Sequence, residues 1–235
     1  MKYYLKVFIA SLVICPLNLL ASYYTNDGTD QIVDALLRNK KGGVFIDIGA
    51  ADGITNNRTY FFEKECGWVG ACIETNNVLY EKLRASRLAV CVNASVGSTP
   101  LPFLKIINDN YNEQWIDRLS KPLQAYDPLE LKEILKLVYN KRGRIELVDT
   151  PSFNFADLMQ AFGLSKIDFL SIGNVENKVD LLRHINFQHF DVDVLVIENA
   201  ENNYDIQKTL VNNGFVLLKK LATDEIYRNA KYAPI

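Results

Sequence analysis

Residues 44–55 read VFIDIGAADGIT. An apolar run ends on Asp47, and Gly49, Ala50 and Gly53 follow within six residues. A carboxylate at a strand tip, followed by a bend with little side-chain bulk, suits a polar ligand gripped partly through backbone N–H groups. A second acid, Glu74, closes the segment GACIE, and Asn93 closes AVCVN. In nucleotide-binding α/β folds an acid at this place accepts hydrogen bonds from ribose hydroxyls. On that pattern Glu74 holds two hydroxyls, Asn93 meets an adenine edge, and Asp47 faces an ammonium or a bound water. The spacing Asp-x-Gly-x-x-x-Gly is not the G-x-G-x-x-G of a dinucleotide site, and G-x-x-x-x-G-K-[ST] is absent, which lowers pyrophosphate and ATP readings.

Other chemistry is sparser. Glu198 ends VDVLVIE and is the remaining acid best placed for general-base work, with a structural role as the alternative. Glu176, in SIGNVEN, is either an active-site group or the first-turn acid of a helix. His184 and His189 are the only histidines; they read as packing or surface residues, and no metal-ligand spacing is apparent. Tyr111 and Trp115, four apart, would line an acceptor pocket or pack an insertion. Cys66, Cys72 and Cys91 read as buried free thiols, and Cys72 and Cys91, each two residues before a strand end, would lie side by side, with a bridge as the alternative in an oxidising compartment. Asn57 and Asn93 stand in Asn-x-Thr/Ser triplets. A glycan at either would crowd the bend or the adenine edge.

Apolar runs alternating with helical periodicity must position these groups. The expected strands are 44–48, 70–74, 89–93, 167–172 and 192–198. The expected helices are 26–40, 55–66, 77–86, 155–162, 178–185 and 205–213. FVLLKKL and DEIYRN suggest a closing hairpin. Between 98 and 147 the alternation breaks into proline-punctuated sequence with a helix over 129–139, which reads as an insertion or cap. RIELV, 144–148, would return as a strand to the main body. The expected fold is α/β: a Rossmann-like, mostly parallel sheet with an antiparallel C-terminal strand, helices on both faces and an inserted cap. Right-handed crossovers put all the strand tips, and so all the acids, on one edge.

VFIDIGAADG, GWVGACIETN, CVNASV, FADLM, KIDFLSI and VDVLVIEN, in that order, resemble the FkbM-type family of S-adenosylmethionine-dependent methyltransferases. The likeness spans about residues 43–220, with 98–147 poorly matched. It implies a class I methyltransferase sheet, S-adenosylmethionine as cofactor, and O-methylation of a small molecule or glycan. It also implies that Asp47, Gly49, Ala50 and Gly53 cradle the methionine part, that Glu74 holds the ribose and that Asn93 lies near the adenine. The family pattern after the fourth strand is close to Ser-Ile-Asp-x-Glu-Gly, followed by an acidic helix start. Here the sequence is Ser171-Ile172-Gly173-Asn174-Val175-Glu176-Asn177, and a carboxylate beside the methyl donor is missing. The alternative expectation is a protein that keeps the fold without the catalysis, serving as a secreted or lumenal binding module.

The chain has 235 residues, 49% of them apolar, and a formal charge of −2. That suits one domain with a large core and argues against a nucleic-acid partner held through phosphates. At the N-terminus Lys2 and Lys6 precede an apolar stretch from Val7 to Ala21, interrupted by Pro16 and Asn18. Residues 1–22 read as a signal peptide, with a membrane anchor or a buried helix as alternatives, and 23–235 as the domain. The expected location is the secretory pathway or outside the cell, with membrane contact only through an uncleaved N-terminal segment.

Overall fold

A computed structural model describes residues 22–97, 101–107, 119–123, 126–140 and 144–232. The N-terminal apolar stretch through Ala21, and Tyr111 and Trp115, lie outside the described residues. None of the described helices is long and apolar enough to cross a membrane.

The chain opens with α1 (Thr29–Leu36), β1 (Val44–Ile48), α2 (Tyr60–Cys66), β2 (Val69–Glu74), α3 (Asn77–Ser86) and β3 (Val90–Asn93). It returns after the cap through α5 (Phe155–Phe162), β9 (Lys166–Ile172), α6 (Lys178–His184), β10 (Asp191–Glu198), α7 (Tyr204–Asn212), β11 (Phe215–Lys220) and β12 (Asp224–Asn229). Seven strands form one sheet in the order β11-β12-β10-β9-β1-β2-β3. Only β12 runs antiparallel, pairing with both β10 and β11. From β1 the chain moves outward through β2 and β3, then resumes on the other flank with β9 and β10. The direction of winding therefore reverses between β1 and β9, where such sheets open a crevice outside the strand tips.

The sheet is covered on both faces, which is why its strands read as continuous apolar runs. Ile46, Ile48, Ile73, Leu170 and Ile172 pack with Leu158, Met159, Leu182 and Leu210. Phe45, Cys72, Phe169, Val194 and Val196 pack with Val33, Phe61, Phe62 and Leu83. Each such side chain contributes about 1.5–3 kcal/mol by burial. Local chemistry sets the helix ends. The Asn76 side chain accepts from the Val78 and Leu79 N–H groups to start α3, and Asn154 accepts from Asp157 to start α5. Cys72 and Cys91 are register partners on β2 and β3, as their positions suggested, and both are free thiols.

The cap is a unit with its own core. It holds β5 (Leu101–Ile107), β6 (Lys121–Pro122), α4 (Pro128–Asn140) and β7 (Arg144–Thr150). β5 pairs antiparallel with both β6 and β7. Leu104, Ile106, Tyr126, Ile134 and Val138 fill its interior. RIELV is thus a cap strand and does not join the main sheet, because its half-apolar pattern matches β5 and not a strand buried on both faces. A short parallel pair, β4 (Ser95–Val96) with β8 (Ser152–Phe153), closes the base of the cap.

The helix expected over 55–66 begins only at Tyr60. Asp52 accepts from the N–H groups of Ile54 and Thr55, and Asn57 Oδ1 accepts from those of Thr59 and Tyr60. These side chains compete with the helical ladder and hold 54–59 as a loop.

Candidate functional site

The bend after β1 is built by Gly49 and Gly53, at φ 78° and 81°, a region that side chains disfavour. The Gly49 and Ala50 N–H groups both reach the Ile73 carbonyl, at 2.8 and 3.1 Å, fastening the bend to β2. Ala50 is buried and its carbonyl accepts from Asn57. A side chain at Gly49 would lie 2.8 Å from Val175 Cγ1, and one at Gly173 would lie 2.7 Å from the Gly49 carbonyl oxygen. The loop after β9 is therefore folded down onto the bend, and the chain's own Val175 covers the bare α-carbon of Gly49.

Asp47 is 2% exposed, and its Oδ2 accepts from Asn57 Nδ2 at 2.8 Å and Thr59 Oγ1 at 2.9 Å. Asn57 and Thr59 are tied in turn to the buried guanidinium of Arg87. Glu74 ends β2 on the same face of the sheet. Its Oε2 accepts from the Ala51 N–H at 2.8 Å and its Oε1 from the Asn76 N–H at 2.7 Å. Burial raises the Glu74 pKa, the Asn76, Ala51 and Thr75 N–H groups work against that rise, and the nearby charge of Asp47 adds to it. Each carboxylate oxygen keeps an acceptor position beyond these bonds. Asn93 is the register partner of Glu74 on β3. Its Nδ2 donates to the Glu74 and Thr75 carbonyls at 2.8 and 3.3 Å, which leaves its oxygen to accept.

Asp47, Glu74 and Asn93 are thus brought together on the tips of β1, β2 and β3. This donor and acceptor set fits an adenosyl group: a carboxylate for two vicinal hydroxyls, a side-chain oxygen for an exocyclic amine, and backbone rather than side chain at the bend. The side-chain nitrogens of Asn57 and Asn93, the two residues in Asn-x-Thr/Ser triplets, both donate hydrogen bonds within the fold.

Glu198 and Glu176 belong to a second cluster, over β9 and β10. Arg58, which the sequence did not single out, is its hub. Its Nε and Nη2 donate to both Asp224 oxygens at 2.5 Å, and Nη2 lies 3.7 Å from Glu198 Oε2. Arg58 Nη1 stands 3.5 Å from where a side chain at Gly173 would begin. Burial opposes the Arg58 charge, but Asp224, then Asp47 and Glu198, hold it protonated. Lys178, the first residue of α6, is also part of this cluster. Burial lowers its pKa, against the pull of Glu198 and Glu201. No local signal in the sequence marks Arg58 or Lys178, because their partners come from β10, β12 and the loops between. His184 and His189 are exposed and stand apart from both clusters.

A family model described as the methyltransferase FkbM domain matches residues 47–223. No curated protein matches the chain. Among solved structures, the chain is similar to a precorrin-6y C5,15-methyltransferase from Geobacter metallireducens, with 10% identity, 84% of each chain covered and a TM-score of 0.41. It is also similar to a methyltransferase from Geobacter sulfurreducens, with 14% identity, 85% of this chain and 77% of that one covered, and a TM-score of 0.41. A third similar structure is a protein in the NADB-Rossmann superfamily from Streptococcus agalactiae, with 15% identity, 90% and 71% covered, and a TM-score of 0.43.

Proposed function

Because the chain belongs to the FkbM methyltransferase domain family and its methyl donor is S-adenosylmethionine, we propose that it methylates an oxygen of a small molecule or glycan. Glu74 carries the reading. It is a buried carboxylate with each oxygen anchored by one backbone N–H, at the tip of the strand beside the glycine bend. Glu74 takes the ribose hydroxyls and Asn93 the adenine amine. Asp47 acts at one remove, fixing the loop 57–59, while the bend made by Gly49, Ala50 and Gly53, its N–H groups bonded within the fold, shapes the ground beside the methionine part.

The donor, when bound, supplies an activated methyl group on sulfur. The protein's part is to align the acceptor oxygen, exclude water and take up its proton. Acceptor binding falls to the ground between the bend and the β9–β10 tips. Glu198, about a quarter exposed, and Glu176 stand there as polar groups facing the acceptor. The two lysines ahead of the N-terminal apolar stretch support export or entry into the secretory pathway, and N-terminal sequencing of secreted material checks it: an intact Met1 on cytosolic protein overturns that location.

Calorimetry of residues 23–235 with S-adenosylmethionine and S-adenosylhomocysteine tests the cofactor site. Glu74→Ala is expected to weaken binding by about 1–3 kcal/mol, the cost of losing hydrogen bonds to a charged group. Unchanged affinity defeats the ribose assignment. Mass spectrometry of methylated product then identifies the acceptor atom, and a methyl on nitrogen or carbon overturns the oxygen reading. Tight binding without turnover on any acceptor would instead give the fold a holding role.

A further inference from the structure

A pair of thiols stands directly beneath Glu74 and Asn93. Cys72 and Cys91 are register partners on the parallel strands β2 and β3, and Glu74 and Asn93, two residues further along, are register partners too. Side chains alternate between faces along a strand, so both sulfurs and both polar tips stand on one face. The packing agrees: Cys72 lies in the core with Phe45 and Leu83, and Cys91 packs against that same core. Neighbouring strands run about 4.8 Å apart, within the span of about 4.4–6.8 Å between the α-carbons of a disulfide. The β-carbons of a disulfide must come within about 3.5–4.5 Å, which asks for a small inward shift of one strand. β3 can make that shift, being four residues long and, among the described residues, without a neighbouring strand on its outer side. The two thiols differ in access: Cys72 is fully buried, and Cys91 is half-buried on the edge strand. Cys66 is placed elsewhere. It closes α2, and its sulfur accepts a hydrogen bond from Lys41 Nζ at 3.3 Å.

We propose that Cys72 and Cys91 form a reversible disulfide, closed by a small-molecule disulfide such as oxidised glutathione and opened again by thiols. The Cys91 thiolate attacks one sulfur of the small disulfide, whose S–S bond breaks and releases a first thiol. The Cys72 thiolate then attacks Cys91 Sγ in the mixed disulfide and expels the second. The two cysteine protons end on the two released thiols, so the pair is oxidised and the external disulfide is reduced. The secretory pathway, the location proposed above, holds such disulfides. A bridge that must hold an edge strand inward is strained, and strained bridges are the ones thiols open readily. The inward shift of β3 also reaches its tip and changes the spacing of Asn93 from Glu74. The bridged form therefore grips the donor less well, a consequence that rests on the reading of Glu74 and Asn93 as ribose and adenine contacts.

The native protein, held reduced, is moved into glutathione buffers of rising oxidised fraction, quenched with acid and N-ethylmaleimide, and digested for mass spectrometry. Peptides joined through Cys72 and Cys91 should accumulate, and dithiothreitol should separate them. Cys66→Ser should leave that linkage in place, and Cys91→Ser should abolish it. Thiols that stay free throughout, or a linkage through another cysteine, overturn the proposal. Calorimetry with S-adenosylhomocysteine then compares the two forms. The bridged wild type should bind about 5-fold more weakly than the reduced protein, or weaker still, whereas Cys91→Ser should bind alike before and after the oxidant. Equal affinity in the two wild-type forms overturns the coupling to the strand tips. Failure of the donor-site reading looks different: neither form then binds S-adenosylhomocysteine, while the linkage still closes and opens.

Discussion

Arg58 and Asp224 are 166 residues apart and joined by two charge-assisted hydrogen bonds. Their side chains are 14% and 4% exposed. In such a place the attraction of the pair offsets a large desolvation cost only while both partners are present. Arg58→Ala leaves Asp224 charged and buried, and is expected to cost about 3–5 kcal/mol in urea unfolding. Arg58→Met with Asp224→Leu should recover much of that loss, because the stranded charge goes with its partner. Arg58→Lys should not, since an ammonium cannot reproduce the two parallel bonds. A single substitution that leaves stability unchanged would show the pair to be ornamental. At this scale the sequence was legible where a residue's neighbours along the chain define its role. Asp47, Glu74 and Asn93 could be placed because each ends an apolar run. Asp224 could not, because its role is defined by a loop that meets it only after folding.

Elements were legible to the degree that their burial is simple. β1, α3 and α5 keep the boundaries their patterns imply, since each is bounded by an asparagine cap, a glycine or a polar strand tip. Residues 55–59 depart from the helix that periodicity predicts because Asp52 and Asn57 capture backbone N–H groups otherwise assigned to a ladder. The closing hairpin was read correctly, but not that β12 inserts between β10 and β11. That insertion buries Glu225, whose Oε2 accepts from Tyr227 and whose Oε1 accepts from Lys220. Burial opposes ionisation of Glu225, but the bonds from Tyr227, Lys220 and Asn199 outweigh it and lower its pKa. Burial, then the Glu225 bond, raises that of Tyr227. The signs follow from linkage. Glu225 contributes stability that is present above its unfolded pKa of about 4.3 and lost as pH falls through the depressed folded value. Tyr227 contributes stability that is present below about pH 10 and lost as pH rises beyond it. Unfolding free energy measured against pH should therefore drop on both sides, and Glu225→Gln should flatten the acid limb. An acid limb unchanged in that variant would remove the hairpin from the pH dependence.

At the scale of the whole molecule, the sheet and the cap have separate cores among the described residues. The three-stranded sheet and α4 bury their own apolar faces against each other. The base is pinned by the Ser95 N–H to Pro151 carbonyl bond at 2.8 Å and the Gly97 N–H to Phe153 carbonyl bond at 3.0 Å. Further in, the cap touches the Glu74 side of the sheet edge: Asn76, whose N–H anchors Glu74, also reaches the Ser120 carbonyl at 3.4 Å through its side chain. The pairing partners β5 and β7 are too far apart in sequence for any pattern to join them, which is why the cap could be bounded but not drawn. Because β4 and β8 already hold its two ends together, closing a shorter loop there costs little extra chain entropy. Replacing residues 98–150 by a short Gly-Ser linker should therefore leave the seven-stranded sheet folded, with one cooperative thermal transition and an intact far-ultraviolet dichroism spectrum. Donor affinity should fall by less than it does in Glu74→Ala, since Glu74 keeps both backbone N–H bonds. Methyl transfer should persist, since the proposed acceptor ground lies between the bend and the β9–β10 tips. A truncated protein that unfolds would show the two cores to be one cooperative unit, and one that binds donor without methylating would bring the cap into the acceptor site.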